Sequence, residues 1–224
     1  MSEKVVIDLG EFILKKTSGW DFYRKCDKKR VTYESFARVY VEEDSIHVSK
    51  KTEYGFIRAI YSKKAEKRID FYDECIECGQ NFLVRKQGEH GWDFYDKDGK
   101  RITRENFLRV SQIDRFVEVQ KHAFLSRFSW GLYDNTGKEI LAPEWLDIRV
   151  ITSKYTDIPM YITVRDYQER WGLCSLDGTF ILSTEKLKSM MWSTKEAKEY
   201  LTAIDNEDNQ YLFEYSSEGL KRIN

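Results

Sequence analysis

One hairpin pattern recurs along most of the sequence, and this repetition constrains the fold more than any other feature. Its clearest copy is Trp130–Ala142, WGLYDNTGKEILA, which reads as a strand, a tight turn and a second strand. Each copy begins at an aromatic anchor residue, and the six anchors are Trp20, Tyr54, Trp92, Trp130, Trp171 and Tyr211. Their separations of 34, 38, 38, 41 and 40 residues predict six tandem units with a period near 38.

A glycine seven residues after the anchor marks the turn in three copies, at Gly99, Gly137 and Gly178. Glycine adopts a positive φ without steric cost, and tight hairpin turns often require that conformation. The first copy has Asp27 at this place, and aspartate is among the few residues that tolerate it. The pattern also predicts a longer turn in the second copy, and in the last copy a turn at Gly219, one residue late.

The alternation of side chains predicts which face of each hairpin is buried. Trp130 and Leu132 share one face, which we assign to the core, and Gly131 between them indicates a close backbone approach. One strand precedes each anchor and another follows each turn, so each unit is predicted to be a three-stranded antiparallel meander. The connectors are predicted to begin as short helical turns at an acidic residue. They are Glu34–Phe36, Glu105–Phe107, Glu144–Leu146 and Glu185–Leu187.

These units together predict an all-β fold, in a single repeat domain over residues 1–224. The approximate unit boundaries are 11–44, 45–80, 81–113, 114–157, 158–197 and 198–224. An open curved array is the first prediction, because no strand from the N-terminus obviously completes the last unit. A closed six-bladed propeller-like ring is the alternative, although units of this length are short for the usual four-stranded blade.

The units at Trp92, Trp130 and Trp171 resemble the WG repeats, also called KWG repeats, of bacterial proteins. The shared features are the Trp-Gly pair at Trp130 and Trp171, the D-x-x-G-K turn after Trp92 and Trp130, and Pro143 in the connector. The resemblance extends over residues 11–224, but an aspartate follows Trp20 and Trp92 where the family has glycine. It implies an all-β repeat array, commonly bacterial, with no shared catalytic activity.

Composition and charge narrow the class of protein. The sequence has 37 Lys and Arg against 38 Asp and Glu, a net charge of −1, so no strong positive field recruits nucleic acid. The N-terminus has no signal-peptide pattern, and no apolar run is long enough to span a membrane. Four cysteines without a dense spacing pattern are typical of reduced thiols, so a cytoplasmic location is expected.

Few motifs in the sequence suggest chemistry. Cys75 and Cys78 form a C-x-x-C motif, which can hold zinc or exchange thiols, but no second ligand pair exists. Aligned with the next unit, the two cysteines fall opposite Val110 and Ile113, so burial as small hydrophobes is the better interpretation. The histidines lie in different units, at His47, His90 and His122. Phosphate-binding and hydrolase motifs are absent, and the sequence predicts no enzyme, no metal and no cofactor.

The loop before Trp130 is the longest of its kind, and it contains Phe124, Arg127 and Phe128. Binding sites of repeat proteins often lie on loops that differ between copies, and aromatic and arginine side chains dominate interfaces. In the alternative interpretation, the two phenylalanines cap an adjacent groove.

We predict a non-enzymatic protein–protein interaction module, for which an inhibitor or immunity-type binder is one form. The alternative is a small-ligand or glycan-binding protein that uses exposed aromatics. An enzyme would need polar residues of several units to converge on one cleft.

Overall fold

The computed structural model describes residues 6–86, 90–103, 106–123, 127–154, 156–196, 198–216 and 219–223. All helical or extended segments within these residues are β-strands, which confirms the predicted all-β fold. The chain forms two compact units, Met1–Phe107 and Leu108–Asn224. The single domain over residues 1–224, the open array and the closed ring stay predictions.

The first unit contains a three-stranded and a six-stranded sheet. In both sheets, strands that are consecutive in the chain pair antiparallel. The three-stranded sheet consists of β1 (Val6–Asp8), β2 (Phe12–Lys16) and β3 (Trp20–Arg24). The six-stranded sheet consists of β4 (Arg38–Val41), β5 (Ile46–Thr52), β6 (Gly55–Tyr61), β7 (Lys67–Cys78), β8 (Asn81–Lys86) and β9 (Asp93–Tyr95).

The second unit contains a four-stranded and a seven-stranded sheet with the same consecutive antiparallel order. The four-stranded sheet consists of β10 (Arg109–Ile113), β11 (Phe116–His122), β12 (Phe128–Asp134) and β13 (Glu139–Trp145). The seven-stranded sheet consists of β14 (Asp147–Thr152), β15 (Pro159–Arg165), β16 (Trp171–Cys174), β17 (Phe180–Lys195), β18 (Lys198–Asp205), β19 (Gln210–Ser216) and β20 (Gly219–Arg222).

The copy around Trp130 contributes four strands, where the sequence predicted three. The hairpin of β12 and β13 is confirmed, but β10 lies before the predicted first strand and pairs with β11. As an edge strand, β10 is only partly buried on either face, so its sequence lacks a clear alternation. This copy therefore has one strand more than the predicted three-stranded meander.

The connectors form extended structure, so the predicted helical turns are wrong. Glu144 lies within β13 and Glu185 within β17, while Phe36 and Phe107 make isolated bridges to anchors of their own copies. The connector residues pair across the sheet with the strand that carries the anchor, as Trp145 does with Trp130. This pairing satisfies backbone groups that a single helical turn would leave without partners. Glu105 lies outside the described residues.

Two long strands are shared by consecutive copies. The 12-residue β7 pairs with β6 through its first half and with β8 through its second half, and the register shifts between Tyr72 and Glu74. The 16-residue β17 joins β16 to β18 in the same way, with a shift between Leu187 and Ser189. Because β7 and β17 each belong to two consecutive copies, those copies share one sheet. The six copies therefore form four sheets.

The predicted glycine turns are confirmed, since Gly99, Gly137 and Gly178 all have a positive φ between 82° and 89°. The turn of the second copy was assigned wrongly. It spans Ser62 to Glu66, has the same length as the three turns that contain Gly99, Gly137 and Gly178, and places Ala65 at φ 61°. Arg58, seven residues before Ala65, therefore occupies the position that tryptophan anchors have in other copies. It pairs with Tyr72 of β7, just as the anchor Trp130 pairs with Trp145 of β13. The predicted anchor Tyr54 lies in the preceding turn and is 92% exposed.

The first and last copies also differ from prediction, each by one residue. In the first copy Lys28 has the positive φ, at 58°, in place of Asp27, because the turn from Arg24 to Lys29 is one residue longer. In the last copy the strand pairing places Gln210 at the anchor position in place of Tyr211. Gly219 has a positive φ of 105° and pairs with Ser216 across the β19–β20 hairpin, and the two residues between them lie outside the described residues.

The predicted core face is confirmed at the residue two positions after each tryptophan anchor. These residues are fully buried: Phe22, Phe94, Leu132 and Leu173. The close approach at Gly131 is also confirmed, because a Cβ atom there would lie 2.8 Å from the Pro143 backbone. The partner is the connector of the same copy. Burial of the apolar residues in this layer supplies the main stabilisation of each sheet.

Substituting Gly99 tests how tightly the turns are enclosed. Gly99→Ala would place a Cβ atom 1.8 Å from the Arg68 carbonyl oxygen, at a φ of 84°. We expect a loss of about 1–2 kcal/mol for the conformation and about 1–3 kcal/mol for the clash, measured by urea denaturation. Gly10→Ala is the matched control, because Gly10 has a φ of 85° with no atom within 4 Å. Equal losses in the two variants would contradict the enclosed turn.

Candidate functional site

The structure describes two of the three residues that the sequence nominated for partner binding. Arg127 is exposed, and Phe128, the first residue of β12, is 46% exposed. Phe124 lies outside the described residues. Phe128 pairs across the sheet with His122 at the end of β11, and their ring centroids are 5.5 Å apart. The side of the Phe128 ring that faces His122 is therefore held in place, while much of the ring stays open to solvent.

A cavity of about 450 Å³ lies beside these two residues, and we call it the Phe128 cavity. It is lined by Gln120, Arg127, Phe128, Trp130, Leu146, Tyr167 and Glu169. Gln120 and Trp130 are cross-strand partners, so β11 and β12 form one wall. Tyr167 comes from the turn after β15, in the following copy, and its hydroxyl donates a hydrogen bond to the Phe128 carbonyl oxygen at 3.0 Å. The cavity thus lies where two consecutive copies of the second unit meet.

The turn that carries Tyr167 and Glu169 is held by Asp166. Its carboxylate accepts hydrogen bonds from the backbone N–H groups of Gln168 and Arg170, at 2.9 and 3.0 Å. Its second oxygen pairs with the Arg170 guanidinium at 2.8 Å. Glu169 has a φ of 63°, the conformation that the glycines adopt in the other turns. The wall of the Phe128 cavity that this turn provides is therefore ordered by local hydrogen bonds.

A second cavity, of about 660 Å³, lies between β17 and the β18–β19 hairpin, and we call it the Tyr211 cavity. Phe180 on its wall is 41% exposed, and Phe213 is half-buried. The Arg222 guanidinium lies over the Tyr211 ring, 4.4 Å from its centroid. The volume falls within the range of about 300–1,000 Å³ that is typical of small-ligand sites. The sequence did not nominate these residues, although the last copy departs strongly from the repeat pattern.

Asp205, on the lining of the Tyr211 cavity, is held by several hydrogen bonds. The Tyr211 hydroxyl donates to it at 2.7 Å, and the Asn209 side chain donates to the same oxygen at 2.9 Å. Hydrogen bonds from Asn209 and Tyr211 lower the pKa of Asp205 to about 2. The same hydrogen bond raises the pKa of Tyr211, because ionised tyrosine could no longer donate it. The cavity therefore presents a carboxylate, an arginine and aromatic faces side by side.

Three of the four cysteines are buried or nearly so, and burial raises their pKa values. The pKa is raised to about 12 for Cys75, about 11 for Cys78 and about 12 for Cys174. Cys75 pairs with Val84 as Val110 pairs with Val119, which confirms the predicted alignment of Cys75 with Val110, an aliphatic residue that is itself only partly buried. Thiols with such pKa values stay protonated at neutral pH and are poor nucleophiles.

The histidines do not form a hydrolytic triad within the described residues. His90 and His122 are exposed, in different units. His47 lies 3.1 Å from the Ser45 hydroxyl, but Ser45 is only 5% exposed. Glu42 and Glu77 approach the same ring nitrogen of His47 as the serine does. In a serine hydrolase the carboxylate holds the opposite nitrogen, so this arrangement does not activate the serine.

The chain has no match among protein-family models or among curated protein sequences. Solved structures similar to it include Hsv2 from Kluyveromyces lactis, with 11% identity over 95% of this chain and 74% of that chain, at a TM-score of 0.33. The β-propeller domain of the Trilobed protease from Pyrococcus furiosus matches with 11% identity over 98% of this chain and 83% of that chain, at a TM-score of 0.30.

A third similar structure is the WD40 domain of Toxoplasma gondii coronin, with 9% identity over 90% of this chain and 65% of that chain, at a TM-score of 0.27. Likenesses this distant identify neither a family nor a function. The resemblance to WG repeats stays a prediction.

No helix in the described part of the chain is long and apolar enough to cross a membrane.

The thiol pKa values predict one reactive cysteine in the folded protein. At pH 7, a disulfide reagent such as DTNB should modify exposed Cys26 rapidly and the other three only after unfolding, because the buried thiols are protonated. Cys26→Ser should abolish the rapid phase, and guanidinium chloride should expose the remaining thiols. Rapid modification of a second thiol in the folded protein would contradict the burial of the cysteines.

Proposed function

We propose that the chain is a non-enzymatic protein–protein interaction module, and that the Phe128 cavity is part of its binding surface. The observation that carries this proposal is the exposure of Arg127 and Phe128 beside an open cavity with a half-buried Trp130. Trp, Tyr and Arg are the residues that most often dominate the binding energy of interfaces. A partner side chain inserted into the cavity would contact three aromatic rings and one guanidinium.

The arrangement of polar groups supports binding rather than catalysis. Among the described residues, the lining of the Phe128 cavity contains one acidic residue, Glu169, which is exposed, and no cysteine, histidine or serine. Glu169 and Arg127 both line the cavity and carry opposite charges, so a partner with a complementary charge pair would be oriented by them. The ordered turn around Asp166 supplies a rim that changes little on binding, which limits the entropy lost in the complex.

Substitution of the two exposed residues tests the proposal. Arg127→Ala combined with Phe128→Ala should weaken partner binding by about 2 kcal/mol or more, about 30-fold in Kd, because both contacts are removed. The partner is first captured from the native host with the wild-type chain, and its Kd is then measured by calorimetry. The melting temperature should change little, since Phe128 is held mainly through its backbone pairing.

Met191→Ala is the control, because Met191 is a comparably exposed apolar residue, at 63%, in β17. If the double variant unfolds, Arg127→Glu replaces it in the test, because a substitution at this exposed position should leave the fold intact. An unchanged Kd in both the double variant and Arg127→Glu would refute the surface. Inhibition of an enzyme partner by the wild-type chain, but not by the double variant, would establish the inhibitor or immunity-type role.

The Tyr211 cavity favours a second candidate function, the binding of a small ligand such as a glycan. Exposed Phe180 offers a ring face on which a sugar ring can stack, and Tyr211, with Arg222 over one face of its ring, lies on the same lining. Asn206, Asn209 and Arg222 on the same lining carry planar polar groups that suit sugar hydroxyls. This function would use a different part of the second unit and is independent of the Phe128 cavity lining.

A thermal-shift screen with mono- and oligosaccharides tests the second candidate. A sugar present at 100 times its Kd should stabilise the fold by about 2.7 kcal/mol, seen as a higher melting temperature. Phe180→Ala should abolish that rise. Phe56→Ala is the control, because Phe56 is 39% exposed against 41% for Phe180 and lies in the first unit. The candidate fails if no sugar raises the melting temperature, or if the rise survives Phe180→Ala.

A further inference from the structure

Three side chains of types that commonly bind metals converge in the first unit, at a place that neither cavity includes. Glu42 follows β4 and His47 lies in β5, on either side of a turn closed by the hydrogen bond from Glu42 N–H to the Ser45 carbonyl at 2.9 Å. Glu77 lies near the end of β7, next to the hairpin that leads into β8. The hairpin ends of two consecutive copies therefore meet around one imidazole.

The distances place three oxygen atoms around a single nitrogen. The Nε2 atom of His47 lies 3.1 Å from Ser45 Oγ, 3.4 Å from Glu42 Oε2 and 3.7 Å from Glu77 Oε1. The Ser45 hydroxyl donates its own proton to Glu42 Oε2, at 3.2 Å. Nε2 can carry one proton at most, so it cannot donate to all three oxygens at once. The arrangement has more acceptors than donors, which indicates a place for a cation.

The negative charge of the cluster also exceeds what the protein supplies. Within the described residues, His47 is the ion-pair partner of both Glu42 and Glu77, and neither carboxylate pairs with a lysine or an arginine. Even a protonated imidazole would offset only one of the two negative charges. A divalent cation would offset both, and it would replace the single shared proton with direct bonds to all three side chains.

From this geometry we infer that Glu42, His47 and Glu77 form a divalent-cation site suited to Zn²⁺. Their ligand atoms all lie within 4.8 Å of one another. In a tetrahedral zinc site with bonds of about 2.1 Å, neighbouring ligand atoms are about 3.4 Å apart. The distances of 3.4 and 3.7 Å from His47 Nε2 to the two carboxylates are already close to that spacing, while the two carboxylates lie within 4.8 Å of each other. Imidazole with two carboxylates suits Zn²⁺ better than Mg²⁺, which prefers oxygen ligands alone.

The surroundings of His47 hold it in the orientation that the site needs. Its ring packs edge-on against Phe82, with centroids 6.3 Å apart, and Phe82 is the cross-strand partner of Glu77. The β7–β8 hairpin thus supplies both a ligand and the ring that orients another ligand. Ser45 supports Glu42 through its hydroxyl, as residues around metal ligands commonly do. Glu77 has a side chain 53% exposed, so the ion can enter from solvent and keep a water as fourth ligand.

The bound ion would connect two copies of the repeat. Glu42 and His47 belong to the β4–β5 hairpin, and Glu77 to the β7–β8 hairpin of the same six-stranded sheet. Cross-linking these hairpins stabilises the folded first unit, because the unfolded chain holds the three ligands far apart. The site is a structural one, independent of the partner-binding and sugar-binding surfaces of the second unit.

Calorimetry with Zn²⁺ alone tests the inference, with the full chain prepared without a histidine tag and stripped with EDTA. We expect one Zn²⁺ per chain and a higher melting temperature. Glu42→Gln, His47→Gln and Glu77→Gln should each weaken Zn²⁺ binding at least about tenfold, the loss that even supporting residues cause at metal sites. Glu77→Gln is the most informative variant, because its exposed side chain makes unfolding of the variant a poor explanation of the loss.

Glu74→Gln is the matched control, since Glu74 lies on the same strand with a side-chain exposure of 51%. It should bind Zn²⁺ like the wild type, as should His122→Gln. The inference is overturned if no stoichiometric binding occurs, or if Glu77→Gln and His47→Gln bind as tightly as the wild type. A thiolate charge-transfer band in the Co²⁺-loaded chain would also overturn it, because the ion would then be held by cysteines such as Cys75 and Cys78.

Discussion

The fold depends on one five-residue turn that closes hairpins in both units. In the copy around Trp130, the Asp134 carboxylate accepts hydrogen bonds from the N–H groups of Thr136 and Lys138, and Gly137 takes a φ of 82°. This geometry sets which residues face each other across the hairpin, and a slip by one residue would turn every buried side chain to solvent. The same backbone pattern occurs at Ser62–Glu66, Asp96–Lys100, Asp134–Lys138, Asp166–Arg170, Ser175–Thr179 and Asp205–Asn209.

The residue after the anchor shows how different side chains meet one packing requirement. At Gly131 the connector backbone approaches so closely that no Cβ atom fits. Two other copies have a buried aspartate at this place, and an arginine from the start of the returning segment neutralises it. These pairs are Asp21 with Arg30, at 2.7 Å, and Asp93 with Arg101, at 2.6 Å. A buried carboxylate is tolerated only with such a partner, so the aspartate and the arginine occur together in both copies.

The candidate sites arise where the copies differ, and only part of them could be predicted. Loop length and composition led to Arg127 and Phe128, and the structure places both beside a cavity. Tyr167, which completes that cavity, lies 39 residues further along the chain and has no sequence signal that links it to Phe128. The Tyr211 cavity and the cluster of Glu42 and His47 with Glu77 were missed for the same reason, because each combines side chains from separate hairpins.

The sequence by itself determined the features that depend on neighbouring residues. The all-β class, the glycine turns and the buried position two residues after the anchor follow from local alternation and turn chemistry. The sequence did not reveal the second-copy turn, because Ala65 adopts the glycine conformation only where strand pairing on both sides holds it there. The tertiary structure decided the fourth strand, the strands shared between copies and the groups that meet at each site. These features depend on pairing between segments that are distant in the sequence. The free energy of that pairing is shared among many contacts, so it produces no recognisable pattern of neighbouring residues.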